Sequence, residues 1–103
     1  MKLHQLRYVR EVARQGLNVS VAAEALHTSQ PGVSKQIQLL EEELNLQIFQ
    51  RNGKRLIGIT EPGKNILELA ERVMRDMENI KRVGEELGRE PAFVGCVPAL
   101  HSA

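Results

Sequence analysis

The sequence predicts a mainly helical fold in which three short helices and one β-hairpin are followed by a single long helix. Three observations predict it. Apolar residues recur at helical spacing up to residue 44, an alternating segment with an Asn52-Gly53 turn follows, and apolar residues are spaced by sevens between residues 66 and 87. A chain of 103 residues has room for one domain and an extension.

The first helix is predicted from about Lys2 to Arg14. Gly16 follows it, at a position where a helix commonly ends in the left-handed conformation that glycine adopts most easily. The apolar side chains of this helix recur on one face, which we expect to be buried: Leu3, Leu6, Val9, Val12 and Ala13.

Two further helices are predicted with a tight turn between them. Asn18 is a good N-cap for a helix that runs to about Leu26, and Ser29 can cap the next one. Pro31 falls in the first turn of that third helix, where a missing N–H costs nothing. The buried stripe of the third helix consists of Val33, Ile37, Leu40 and Leu44.

The opposite face of the third helix is polar, and its donors could reach phosphates and base edges in a DNA major groove. This pattern is typical of a helix-turn-helix motif that binds DNA. The alternative is an ordinary amphipathic helix with a solvated face, because helix pairs are common. The residues of this face are Gln30, Pro31, Ser34, Lys35 and Gln38.

A β-hairpin is predicted after the third helix. Residues 46–51 alternate apolar and polar, with Leu46, Ile48 and Phe49 facing inward, and residues 56–60 form the returning strand. Asn52-Gly53 is a strong hairpin turn signal. Arg51, Lys54 and Arg55 surround the tip, so the hairpin is interpreted as a wing that contacts the phosphate backbone or the minor groove. The alternative is a solubilising turn.

A long helix is predicted from about Glu61 to Leu87, after Thr60-Glu61-Pro62-Gly63 repeats the pattern of a cap followed by proline. It would span roughly 40 Å, which is too long to pack wholly on so small a domain. Its apolar positions therefore indicate a helix–helix seam between two copies; the alternative is a helix folded back on its own domain. The seam residues are Ile66, Leu69, Val73, Met77, Ile80 and Leu87.

The chain is thus divided into a winged helix-turn-helix head (residues 1–60), a linker and dimerisation helix (residues 61–87) and an irregular or disordered tail (residues 88–103). It resembles the DNA-binding domain and linker helix of LysR-type transcriptional regulators. Within that family, its sequence is most similar to the branch that regulates sulfur assimilation and cysteine synthesis. The matching segments are Leu6–Tyr8, Ala22–Leu26, Ser29–Ile37, Leu39–Leu44, Ile48–Arg51 and Thr60–Gly63.

The resemblance implies that Gln30, Pro31, Ser34 and Lys35 face DNA, that Lys54 or Arg55 reaches the adjacent groove, and that the long helix pairs with its twin. Many relatives have arginine where this chain has Lys35. Lysine keeps the positive charge, but it cannot donate the two parallel hydrogen bonds by which arginine recognises guanine. The family also carries a sensory domain after the linker. Its absence from these 103 residues predicts that no small-molecule effector is bound.

Charge agrees with DNA as the partner of the head. The head holds eight basic and five acidic side chains, whereas residues 61–103 hold six basic and eight acidic ones. No signal peptide or membrane span is recognised, and the lone Cys96 excludes an internal disulfide, so we expect a cytoplasmic protein.

Other chemistry is thinly represented. The three histidines are far apart without partners at ligand spacing, so no metal or other cofactor is expected. Glu41, Glu42 and Glu43 are interpreted as a solvated helix end, and no catalytic set is found, so the chain is not expected to be an enzyme. The predicted function is a dimeric, sequence-specific regulator that binds double-stranded DNA. The alternative is a truncated interaction module that pairs with full-length relatives.

Overall fold

The computed structural model describes residues 1–88, and its elements follow the order that the sequence predicts. The mainly helical class with a hairpin is therefore confirmed. The predicted tail lies outside the described residues, except for Gly88, which belongs to the last helix. The elements are α1 (Leu3–Arg14), α2 (Val19–Ala25), α3 (Gln30–Leu44), β1 (Phe49–Asn52), β2 (Arg55–Ile59) and α4 (Glu61–Gly88).

The helix ends are fixed by the residues that the sequence marks as caps. The Asn18 side chain accepts a hydrogen bond from the Val21 N–H at 3.1 Å, and the Ser29 hydroxyl accepts one from the Gly32 N–H at 3.1 Å. Gly16 has a φ of +66°, as expected for the end of α1. Each cap satisfies a helix-terminal group that would otherwise lack a partner.

One apolar core joins the three short helices and the start of β1. The predicted faces of α1 and α3 both contribute. The stripe of α3 is buried through Val33, Ile37 and Leu40, and Leu44 is half-buried against the core. Leu3 is an exception, with 39% of its surface exposed. At this first turn of α1 the buried side chain is instead Gln5, whose amide accepts from the Lys2 N–H and donates to Gln36. The core residues are Val9, Val12, Ala22, Ala23, Val33, Ile37, Leu40, Ile48 and Phe49.

The hairpin is shorter than predicted. β1 begins at Phe49, not at residue 46. The Ile48 N–H donates to the Glu41 carboxylate, and β2 ends at Ile59, opposite Phe49, so residues 46–48 have no strand to pair with. Asn52 pairs with Arg55, so the two turn residues are Gly53 and Lys54, one position later than the predicted turn. Gly53 has a φ of +67°, which a two-residue turn with glycine at its first position requires.

The start of α4 lies directly against the hairpin. The Thr60 hydroxyl accepts from the Gly63 N–H at 2.9 Å, as a cap should, and the Thr60 N–H donates to the Ile48 carbonyl at 3.0 Å. Residues 1–72 form one compact unit, and residues 73–88 belong to a second. In the first unit, Ile66 and Leu67 pack against the core.

Candidate nucleic-acid interface

The polar side chains of α3 share one exposed face. Val33, Ile37 and Leu40 anchor the helix in the core, and Ala22 and Ala23 of α2 are buried with them. Small alanines allow the two helices to approach closely, and this packing fixes the direction in which the opposite face of α3 points. All five predicted residues of that face are exposed: Gln30, Pro31, Ser34, Lys35 and Gln38.

A groove of about 1040 Å³ separates this face of α3 from the hairpin. It brings together six of the eight residues that the sequence assigns to DNA binding. Lys35 lies outside its lining, and Arg55 lines an adjoining cleft of about 350 Å³ that also contains Ser20, Gln30 and Lys54. The six residues in the groove lining are Gln30, Pro31, Ser34, Gln38, Arg51 and Lys54.

Three of the cations predicted to bind DNA remain available for an external partner. Lys35, Lys54 and Arg55 are exposed, and none of them forms an ion pair with a residue in the part of the chain that the structure describes. Because the turn places Lys54 at its second position and Arg55 directly after it, two of these charges extend from the tip of the hairpin.

Arg51 differs from these three because its charge is already paired. Its guanidinium donates to both carboxylate oxygens of Glu41, at 2.8 Å and 3.3 Å. The interpretation of Glu41 as part of a solvated helix end is therefore wrong. Glu41 is 7% exposed and also accepts from the N–H groups of Ile48 and Phe49, at 2.7 Å and 3.2 Å. Glu42 and Glu43 are exposed, as expected.

These four hydrogen bonds connect α3 to the start of the hairpin. Glu41 lies on α3, whereas Arg51 and Phe49 lie on β1. A buried carboxylate is stable only when its charge and lone pairs are satisfied, and here two backbone donors and one guanidinium satisfy them. Glu41 therefore holds β1 against α3 together with the core contacts of Ile48 and Phe49.

Gln30 is held by a residue that the sequence analysis did not identify. The Ser20 hydroxyl of α2 donates to the Gln30 Oε1 at 2.8 Å. Ser20 also lines the cleft next to the hairpin tip. No sequence motif marks a serine in the second position of a short helix as a hydrogen-bond partner. Only the packing of α2 against α3 shows that Ser20 and Gln30 meet.

The predicted seam residues of α4 have different environments. Ile66 is half-buried against the core of its own unit, so this residue is already partly covered. Leu69, in the same unit, is 51% exposed. In the second unit Val73 and Met77 are half-buried, whereas Ile80 is 72% and Leu87 38% exposed. Val83, at a position next to this apolar stripe, is 53% exposed.

Other chemistries find little support in residues 1–88. That range contains no group of three histidine, cysteine or acidic side chains that could hold a metal ion. None of its helices is long and apolar enough to cross a membrane. Cys96 and His101 lie outside the described residues.

Comparison with known proteins identifies the domain. Residues 3–64 match the profile of the bacterial regulatory helix-turn-helix proteins of the lysR family. The chain is 48% identical over 102 residues to the transcriptional regulator CysB of Burkholderia cenocepacia, and 54% identical over 102 residues to the regulator SsuR of the same organism. Each match covers 99% of this chain but only 33% of the relative. The regulator cbl of Escherichia coli is 42% identical over the same length.

Solved structures agree in fold. The DNA-binding domain of BenM in complex with catB site 1 DNA superposes with a TM-score of 0.80 at 28% identity, covering 87% of this chain and 98% of that one. The CbnR domain in its DNA complex gives 0.74 at 31% identity, covering 86% and 100%. The matched proteins are regulators of transcription and not enzymes.

Proposed function

Because the chain belongs to the LysR family of bacterial regulatory helix-turn-helix proteins, we propose that it is a sequence-specific transcriptional regulator that binds double-stranded DNA as a dimer. The observation that carries this proposal is the groove between α3 and the hairpin. Polar side chains of α3 line one wall, and Lys54, which forms no ion pair within residues 1–88, lies on the other.

The dimensions of this region suit a DNA duplex. An α-helix with its side chains is about 10–12 Å across, and the major groove of B-DNA is about 12 Å wide. With α3 in the major groove, Gln30, Ser34 and Gln38 would meet base edges and nearby phosphates. The hairpin would then lie over the neighbouring phosphates or minor groove, where Lys54 and Arg55 place positive charge.

The similarity to the sulfur-assimilation branch suggests which genes the protein regulates. Matched relatives include CysB, SsuR and cbl, which belong to that branch. We therefore propose that the regulated genes serve sulfur or cysteine metabolism. Since the chain spans about a third of the length of these relatives, effector binding and the direction of regulation do not follow from the match.

A salt titration of a Lys54→Gln, Arg55→Gln variant tests the proposal directly. The free chain is titrated into a fluorescent 30-base-pair duplex at several salt concentrations. Phosphate contacts release counterions, so log K should fall linearly with log salt, by about 0.9 per contact. Loss of both cations should weaken binding to every sequence and reduce the slope by up to about two units.

The matched control for this variant is Lys81→Gln with Arg82→Gln, which removes the same charge from exposed positions on α4. The control should leave the slope close to that of the wild type. If the slope of log K against log salt were equal for the wild type and the Lys54, Arg55 variant, the wing would not contact phosphates. A wild-type chain without salt-dependent binding would favour the alternative function, in which the domain only pairs with full-length relatives.

Replacing Gln30 by alanine should affect base recognition instead of general affinity. A side chain that reads a base edge is worth about 1–3 kcal/mol of discrimination, so Gln30→Ala should lower affinity for the preferred duplex by that amount and relax the preference at one position. Ser34→Ala should have a smaller effect, spread over all sequences, if Ser34 contacts a phosphate. An unchanged ratio of preferred to random DNA in Gln30→Ala would contradict the base-reading role.

The proposed dimer rests on the exposed apolar side chains of α4. Ile80 and Val83 are more than half exposed, and Ile80 and Leu87 are separated by one heptad. A second copy presents the same stripe, so pairing two such helices would remove both from water. Burial of an aliphatic side chain contributes roughly 1.5–3 kcal/mol, and two paired heads would read a site with two-fold symmetry.

Substituting aspartate at Ile80 and Val83 should therefore yield a folded monomer. Analytical ultracentrifugation would measure the mass, and circular dichroism would confirm that the helices remain. Arg82→Asp is the matched control, because it changes the net charge by the same amount from the opposite face of α4. The control should remain dimeric at tens of micromolar, on the order of weak-complex affinities. A wild-type chain that sediments as a monomer there would refute the dimer.

A further inference from the structure

Ser20 makes a hydrogen bond for which the stability of the domain offers little reason. Its hydroxyl donates to the Gln30 Oε1 at 2.8 Å, and both side chains are exposed. A hydrogen bond between exposed groups exchanges with water and adds little net stability. The bond does, however, join the first turn of α2 to the first residue of the helix that is proposed to read DNA.

We propose that Ser20 is a positioning residue that sets the base preference of Gln30. This inference rests on the proposed function, since it assigns a role within DNA recognition. A glutamine amide presents an acceptor oxygen at one end and a two-hydrogen donor at the other. Rotation about its last bond exchanges the two ends, so a free glutamine can satisfy either a donor or an acceptor on a base.

The surroundings of the pair keep both partners in place. Ala22 and Ala23 are buried in the core and fix α2, while the Asn18 cap holds its first turn. Ser29 caps the first turn of α3, where Gln30 lies. Two helices that are packed together therefore carry the two side chains, and in this structure the Ser20 hydroxyl is the donor and the Gln30 Oε1 is the acceptor.

With Oε1 accepting from Ser20, the Nε2 amino group of Gln30 is the end left free to act as a donor. It suits base edges that present an acceptor in the major groove, such as guanine O6 and N7, adenine N7 or thymine O4. Cytosine presents a donor, its N4 amino group, and should be disfavoured at this position. Exclusion of water on DNA binding would strengthen the Ser20–Gln30 bond, because the local dielectric constant falls.

The experiment begins with a duplex library that carries 20 randomised base pairs. The wild-type chain is used to enrich a preferred duplex, and affinities are then measured for all four bases at the position that Gln30→Ala relaxes. Ser20→Ala should raise the relative affinity for cytosine there about three- to tenfold, which corresponds to one neutral hydrogen bond. Ser20→Thr retains the hydroxyl and should retain the wild-type preference.

A double-mutant cycle separates positioning from other roles. In a Gln30→Ala background, Ser20→Ala should no longer change base preference, because the side chain through which it acts is gone. Thermal unfolding of Ser20→Ala should match that of the wild type. Equal weakening on all four bases would make Ser20 a phosphate contact, and the same base change with and without Gln30 would mean that Ser20 acts on the base without Gln30. Either result would overturn the inference.

The two hypotheses fail in different ways. If the wild type enriches a duplex and Ser20→Ala has the same base preference, this inference is wrong and the proposed function stands. If the wild type enriches nothing and binds without salt dependence, the proposed function is wrong, and the role of Ser20 is rejected with it.

Discussion

Replacing Glu41 by alanine is expected to destabilise the domain by about 3 kcal/mol, although the residue lies in a run of three glutamates. The substitution removes the acceptor of two buried backbone N–H groups, those of Ile48 and Phe49, and leaves the Arg51 guanidinium without its partner. Each buried donor without an acceptor costs about 1–3 kcal/mol. Urea denaturation followed by circular dichroism would measure the loss.

Glu42→Ala is the control for this prediction, because it removes the neighbouring carboxylate from an exposed position. Its free energy of unfolding should stay within about 0.5 kcal/mol of the wild type. Glu41→Gln should lie between the two, since its amide oxygen can replace the carboxylate oxygen that accepts both backbone N–H groups, whereas its NH2 group would be a donor facing the Arg51 guanidinium. Similar urea midpoints for Glu41→Ala and Glu42→Ala would contradict the role assigned to this carboxylate.

The Glu41–Arg51 pair also changes how the charge of the wing should be counted. A carboxylate in the wall of a DNA-facing groove would repel phosphates, and Arg51 neutralises it at 2.8 Å. The cations left for DNA on the hairpin are therefore Lys54 and Arg55. Arg51→Ala should weaken DNA binding mainly by exposing the Glu41 charge, and we do not expect it to act as the loss of one direct phosphate contact.

The sequence was sufficient for the features that depend on neighbouring residues. Asn18, Ser29 and Gly16 mark helix ends because capping involves residues three or four apart, and the caps lie where they were expected. The stripe of Val33, Ile37 and Leu40 reflects the period of a single helix. Local rules of this kind are contained in a short window of sequence.

The features that the sequence did not reveal join residues on different elements. Ser20 and Gln30 meet only because α2 packs against α3, and Glu41 reaches Arg51 only because the chain folds back after α3. The late start of β1 also depends on distant residues, since Glu41 accepts from the Ile48 N–H and β2 ends at Ile59, opposite Phe49. Periodicity carries no information about such contacts, so charge pattern alone made Glu41 look solvated.

Substituting alanine for Gly63 is expected to destabilise the domain by about 2–3 kcal/mol, against the usual helix preference for alanine. A Cβ at this position would lie 2.1 Å from the Ile48 carbonyl oxygen and 2.8 Å from the Thr60 hydroxyl oxygen. The carbonyl cannot withdraw easily, because it also accepts from the Thr60 N–H at 3.0 Å. The first turn of α4 would have to move away from the strand that carries the wing.

Gly84→Ala provides the matched control on the same helix. Nothing lies within 4 Å of a Cβ built at Gly84, so the same substitution should stabilise α4 by up to about 1 kcal/mol. Both variants would be unfolded in urea at equal protein concentration, and opposite signs are expected. If Gly63→Ala were as stable as the wild type, the close approach of α4 to Ile48 would not be what fixes the start of this helix.

Because α4 is also proposed to pair two copies, a displaced first turn should lower affinity for a two-fold symmetric duplex more than for a single half-site.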